Sequence, residues 1–294
     1  MKSNLKTSRY ARGEETSTRN QTAKQFGRRA FCSAVAQGCL VGSLRAATAA
    51  PATDLRLGIQ AFSLRKFSLD QAIRHARDLG FQSIEFYGGM FPITDDPTVI
   101  AQTVDKVKAA GLTISAHGVN RFTGDADANR KVFQFAKLAG IPTITADPLP
   151  ESFDSLEALV REFDIQIAIH NHGPGHRYSK VIDVLRAIEN RDERIGACAD
   201  LGHYIRSAER PTEVIRLLQG RLYGIHLKDF AEMKKETKGV ILGQGHLNLR
   251  AVFAALKQVQ FPPDGALSLE YEEHPENPLN DIRECVAAAR AAMA

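Results

Sequence analysis

From Leu55 onward, short runs rich in branched and aromatic residues alternate with amphipathic stretches of 12 to 16 residues. That beat is the pattern of repeated strand-helix units, and it commits the chain to a parallel sheet whose strands are joined by helical crossovers. Eight units can be drawn, with strands at Leu57 to Phe62, Ser83 to Tyr87, Thr113 to His117, Thr143 to Asp147, Gln166 to Asn171, Ile195 to Asp200, Leu222 to Lys228 and Ala266 to Tyr271. Three helical stretches stop on Gly80, Gly111 and Gly140 just before an apolar run, where the residue after a helix takes a left-handed backbone. Eight units in about 245 residues match the size of a closed barrel of eight parallel strands ringed by helices. An open doubly wound sheet is the competing arrangement, but the first strand is not followed by a Gly-rich phosphate turn. The expected fold class is therefore α/β, a single (β/α)8 TIM barrel over residues 50–294 with no second domain.

The first 49 residues read as an address rather than as part of that barrel. Up to residue 47 they hold nine Lys or Arg against Glu14 and Glu15, so the overall charge of +4 leaves the rest of the chain at −3. A basic stretch leads to Gly27-Arg28-Arg29-Ala30-Phe31, then to a weakly apolar run ending at Leu44, then to small residues from Ala46 to Ala50. This order resembles a twin-arginine export signal, with cleavage near Ala49 and a periplasmic destination. Gly27 and Cys32-Ser33 depart from that signal's usual pattern. The apolar run, about 14 residues, is shorter than the roughly 20 that span a bilayer as a helix, so no stable membrane anchor is expected. The export machinery is the implied partner. A mildly acidic body without a basic run also argues against a nucleic-acid partner. Cys198 and Cys285 remain after cleavage and read as small buried hydrophobes.

In such a barrel, chemistry belongs at the carboxyl ends of the strands. His75 falls mid-helix, whereas His117, His170, His172, His176, His203, His226, His246 and His274 fall at strand ends or in the loops that follow. The last four strands end in Ile169-His170-Asn171-His172, Ala199-Asp200-Leu201-Gly202-His203, Ile225-His226-Leu227-Lys228-Asp229 and Leu269-Glu270-Tyr271-Glu272. Neighbouring strands bring their ends together, so His170, Asp200, His226 and Glu270 are candidate ligands of one cation. Two imidazoles with two carboxylates suit Mn2+, Co2+, Zn2+ or Fe2+ better than Ca2+.

These pieces, with Ser83-Ile84-Glu85-Phe86-Tyr87, Leu242-Gly243-Gln244-Gly245 and Glu276-Asn277-Pro278, resemble the sugar phosphate isomerases and epimerases with a xylose-isomerase-like barrel, relatives of the family-two apurinic endonucleases. The resemblance runs from Leu55 to Met293. It implies a divalent metal held by Asp200, His226 and Glu270, with His203 meeting substrate. The family's fifth strand commonly ends in Glu, and here His170 stands in its place. The resemblance further implies proton removal beside a carbonyl, with a metal-stabilised enediolate and two carboxylates on opposite faces of the sugar.

With His170 replacing one carboxylate, that two-base scheme is weakened. Glu270 is then ligand and base together, with His203, His170, His117 or His172 as candidate proton carriers. The expected function is a metal-dependent sugar isomerase or epimerase acting on a small carbohydrate. A lyase eliminating water or an alkoxide from a keto-sugar or keto-inositol is the near alternative, and an exported sugar-binding barrel without turnover the distant one. Glu85, His117, His172 and Lys228 are candidate substrate contacts; for Glu85 and His117 the competing role is support of the ligands, and for Lys228 it is an ion pair with Asp229.

Overall fold

The computed structural model describes residues 55–294. The signal expected over residues 1–49 lies outside the described residues. In chain order the strands are β1 (Gly58–Gln60), β2 (Ser83–Phe86), β3 (Thr113–Phe122), β4 (Thr143–Pro148), β5 (Gln166–His170), β6 (Ile195–Asp200), β7 (Leu222–Leu227), β8 (Asp229–Phe230), β9 (Gly239–Val240) and β10 (Ala266–Leu269). The helices are α1 (Leu69–Asp78), α2 (Pro97–Ala109), α3 (Ala126–Ala139), α4 (Phe153–Phe163), α5 (Val181–Ile188), α6 (Leu201–Arg206), α7 (Pro211–Leu217), α8 (Leu249–Gln258) and α9 (Leu279–Met293). Eight strands pair in parallel around a closed ring in the order β1-β10-β7-β6-β5-β4-β3-β2, while β8 and β9 form a separate antiparallel hairpin. The closed barrel is the architecture that the strand-helix beat predicts.

Local chemistry sets the elements. Ser68 and Gln71 close a capping box at the start of α1, and Asp96 accepts the N–H groups of Thr98 and Val99 ahead of Pro97 in α2. The α3 helix opens on Asp125 and stops at Gly140, whose φ of 67° supplies the left-handed turn into β4. Ile59, Ile84, Ile144 and Ile225 are fully buried within the strands, and Phe133, Phe253 and Ile282 carry the apolar faces of α3, α8 and α9 into the same core. No helix among the described residues is long and apolar enough to cross a membrane.

Four elements depart by two residues or more from the sequence expectation, among them the last barrel strand, which ends at Leu269 rather than Tyr271. The first strand stops at Gln60, because its side chain accepts the Phe62 N–H at 3.1 Å and starts a 3-10 turn over Ala61–Leu64. The third strand runs past His117 to Phe122, where Asn120 to Phe122 pair with Ala146 to Pro148. The β8–β9 hairpin stands between β7 and α8, where a simple strand-helix unit has only a loop.

Candidate metal centre and its cavity

In the parallel register Asp200 stands opposite His226, and Ser268 stands opposite His226 from the other neighbouring strand. Side chains alternate in and out along a strand, so Glu270, two residues past Ser268, shares its inward side. His170 ends β5, the strand beside β6. One donor atom from each of His170, Asp200, His226 and Glu270 lies within 4.8 Å of the others, and all four residues are buried. His226 Nδ1 is 3.1 Å from His170 Nε2, 3.2 Å from Glu270 Oε2 and 3.9 Å from Asp200 Oδ2.

The donors fit a divalent ion. Asp200 Oδ2 and Glu270 Oε2 are buried and accept no well-directed hydrogen bond, although the Lys228 ammonium makes ion contacts with them at 3.1 and 2.6 Å. Two imidazole nitrogens and two carboxylate oxygens drawn this close form a set that can bind a borderline divalent metal.

Neighbouring groups aim the candidate ligands. Asp200 divides its oxygens: Oδ1 accepts the His203 N–H at 2.7 Å and caps α6, which leaves Oδ2 on the cluster. Asn171 clamps the same strand end, its Oδ1 accepting the Asp200 N–H at 2.8 Å and its Nδ2 donating to the Asp200 carbonyl at 3.0 Å. Gly202 makes room for Lys228: a Cβ there would stand 2.7 Å from Lys228 Cγ and 2.9 Å from its Cβ.

Burial favours neutral groups here, and the charges answer it. For Asp200, burial pushes the carboxyl up, but His203 and Lys228 beside it hold it well below the usual carboxylate range. Glu270 is held down in the same way by Lys228 and His226. Lys228 loses hydration on burial, yet Asp200, Glu270 and Glu272 keep it firmly protonated. Burial holds His170 well below the ordinary imidazole value, with His226 and His172 adding to the effect, and it brings His203 down to about 4. Burial also opposes a charge on His226, whose pKa is nonetheless raised well above the usual value by Cys198, Glu85 and Glu270. The Cys198 thiol is itself pushed up to about 11 by burial and is neutral at pH 7, so the carboxylates carry that attraction.

The other sequence candidates divide between the cavity and the barrel wall. A cavity of about 210 Å³ adjoins the cluster and is lined by His203, Arg206, Lys228, Phe230, Glu270 and Glu272, among others. His172 is half-buried beside His170, with ring centroids 4.7 Å apart, and stacks on His176 at 5.0 Å. Glu85 lies inside the barrel, fully buried, with both oxygens engaged by Thr145, Ser268 and His226. His117 is buried too, its Nε2 donating to the Phe91 carbonyl at 2.9 Å and its Nδ1 accepting from Asn120 at 3.1 Å. Neither side chain lines the cavity.

Lys228 lines the cavity, and the ion pair with Asp229 weighed as its alternative role is replaced by contacts to Asp200, Glu270 and Glu272, the last at 2.8 Å. Asp229 instead accepts the N–H groups of Gly243, Gly245 and Leu247 at 2.9 to 3.0 Å, so Leu242-Gly243-Gln244-Gly245 is a turn built around a carboxylate. Sequence reading missed Arg206, Phe230 and Glu272 in the cavity wall. Arg206 lies one helical turn after His203 and Glu272 lies two residues past Glu270, spacings that place each on its neighbour's side. The Arg206 guanidinium stacks 5.4 Å from the Phe230 ring.

A closed parallel barrel gathers two imidazoles and two carboxylates at its carboxyl end, a donor set that could hold a divalent ion. A family model described as a xylose isomerase-like TIM barrel matches residues 73–292, and the chain belongs to that family. An inosose dehydratase from Clostridium botulinum (strain Eklund 17B / Type B) is 27% identical over 149 residues, covering 45% of this chain and 49% of the relative. A 3-oxo-isoapionate decarboxylase from Pectobacterium atrosepticum is 29% identical over 103 residues, covering 33% of this chain and 36% of the relative. The chain thus spans about half or less of the length of these curated relatives. The crystal structure of D-psicose 3-epimerase from Clostridium cellulolyticum H10 with D-tagatose shares the fold at a TM-score of 0.66 and 11% identity, covering 81% of this chain and 99% of that one.

Proposed function

We propose that this chain is a divalent-metal-dependent enzyme that removes the proton beside the carbonyl of a keto-sugar and carries the enediolate to an isomerised or epimerised product. The observation that carries this reading is the position of Glu270, which belongs both to the four-residue ligand set and to the cavity wall. A divalent ion held by His170, Asp200, His226 and Glu270 supplies polarisation of the carbonyl and stabilisation of the charge that develops on it. Glu270, kept ionised by Lys228, is the base. His203, neutral at pH 7 and lining the same cavity, relays a proton from solvent to the enediolate, gaining one at one ring nitrogen as it gives one from the other, while Glu270 releases the proton it took to solvent.

A second reading has its own support. His170 stands where the family commonly carries a carboxylate, and curated relatives are named as a dehydratase and a decarboxylase. With Glu270 as the lone carboxylate base, the enediolate expels water or an alcohol from the neighbouring carbon. His203 relays a solvent proton to that leaving group, regaining one at its other ring nitrogen.

Incubation of keto-sugars with the metal-loaded protein in deuterated water tests both. Deuterium at the carbon beside the carbonyl with no loss of material supports epimerisation, and an unsaturated product supports elimination. Tight binding without exchange leaves only a sugar-binding barrel and overturns the enzyme reading. Glu270→Gln abolishes exchange. The order of basic, apolar and small residues over 1–49 supports export by the twin-arginine route to the periplasm, which fractionation of cells producing the wild type or the Arg28→Lys, Arg29→Lys variant tests.

A further inference from the structure

We infer that Glu85 is the positioning residue that fixes His226 as a metal ligand through Nδ1, and that it is a working part of the centre although it lies outside the ligand set. The inference rests on the metal reading of the four-residue cluster and adds how one ligand is aimed and charged.

His226 is fully buried and its ring bridges two environments. Its Nε2 lies 3.0 Å from Glu85 Oε2, while its Nδ1 faces His170 Nε2, Glu270 Oε2 and Asp200 Oδ2. An ionised carboxylate has no proton to give, so the Nε2 position must carry the hydrogen and donate it. In the neutral form that binding a metal ion would require, the lone pair is then left on Nδ1, the nitrogen aimed at the other three candidate ligands. Without Glu85 the ring is free to take the other tautomer, which turns an N–H toward the cluster.

Glu85 is itself held from two further strands. Thr145 Oγ1 on β4 donates to Oε1 at 2.6 Å, and Ser268 Oγ on β10 donates to Oε2 at 2.7 Å. Ser268 is also the register partner of His226. Four strands, β2, β4, β7 and β10, therefore converge on one carboxylate–imidazole pair beneath the cavity. Burial of a charge is costly unless its oxygens are hydrogen-bonded, and here Thr145 serves Oε1 while Ser268 and the imidazole serve Oε2. A carboxylate behind a ligating imidazole fixes the ring orientation and raises its basicity, and loss of such a partner typically weakens metal binding about 10- to 100-fold.

The test is a Co2+ titration of the wild type, Glu85→Gln and Ser268→Ala, followed by the visible absorption of the bound ion. Glu85→Gln is expected to weaken Co2+ binding about 10- to 100-fold and to shift the Co2+ absorption band, with Ser268→Ala changing both in the same direction by less. Wild-type affinity and band position in a folded Glu85→Gln protein overturn the inference, whatever its melting temperature. Should Glu85→Gln fail to fold, Ser268→Ala and Thr145→Val carry the test, and an unaltered affinity and band in both overturn it. Failure of the wild type itself to bind Co2+ removes the metal reading, and the role of Glu85 with it.

Discussion

The Lys228 ammonium lies 2.6 Å from Glu270 Oε2, the same oxygen that stands 3.2 Å from His226 Nδ1. A buried cation thus shares the carboxylates that a metal ion would share, and it compensates their charge in the metal-free chain.

Removing that cation leaves Asp200 and Glu270 buried without their main partner. Lys228→Met is expected to destabilise the metal-free protein by about 3 kcal/mol or more, the cost of breaking a buried ion pair from one side. Added divalent metal should narrow the gap, because the ion neutralises the same oxygens. Urea unfolding of both proteins with and without metal measures this, and a gap below about 1 kcal/mol in metal-free protein would contradict it.

Gly202 governs whether Lys228 reaches its partners. Gly202→Ala places a methyl 2.7 Å from Lys228 Cγ, near the fixed end of the side chain, so the lysine stem must move. Reduced stability together with weaker metal binding is the expected outcome, read by thermal unfolding and metal titration. Wild-type values for both would show that the stem finds another path.

Legibility in the sequence followed the range of the cause. The barrel was readable because eight units repeat one period, and the four-residue cluster because His170, Asp200, His226 and Glu270 each lie at, or within one residue of, the carboxyl end of a strand. What stayed hidden depends on register across the ring. Nothing local to Thr145 or Ser268 marks them as partners of Glu85, since these strands become neighbours of the same pair only when the barrel closes. Lys228 lacks the Asp229 pair weighed as its alternative role for a related reason. Its adjacent carboxylate, Asp229, points the other way and is used up by the backbone of the Gly243 turn.

Acid should weaken the metal-free fold. Burial brings His203 down to about 4 from an unfolded value of 6.5, so the unfolded chain binds its proton more readily. Its contribution is whole above about pH 6.5 and drains away as the pH falls toward 4, at about 1.4 kcal/mol per unit of separation. His170 and His172, also lowered by burial, add to the same slope. Urea midpoints of metal-free protein should fall steadily between pH 7 and pH 5, and His203→Gln should flatten the fall. A midpoint independent of pH in that range would contradict the buried neutral imidazole.

The measurement that reaches furthest is the content of divalent metal per chain after loading and exhaustive dialysis, for the wild type and Asp200→Asn. One tightly held ion in the wild type, with most of it lost from a folded Asp200→Asn protein, is the predicted result. No retained ion in the wild type, or an undiminished one in the variant, would contradict a centre built from the ends of the last four barrel strands.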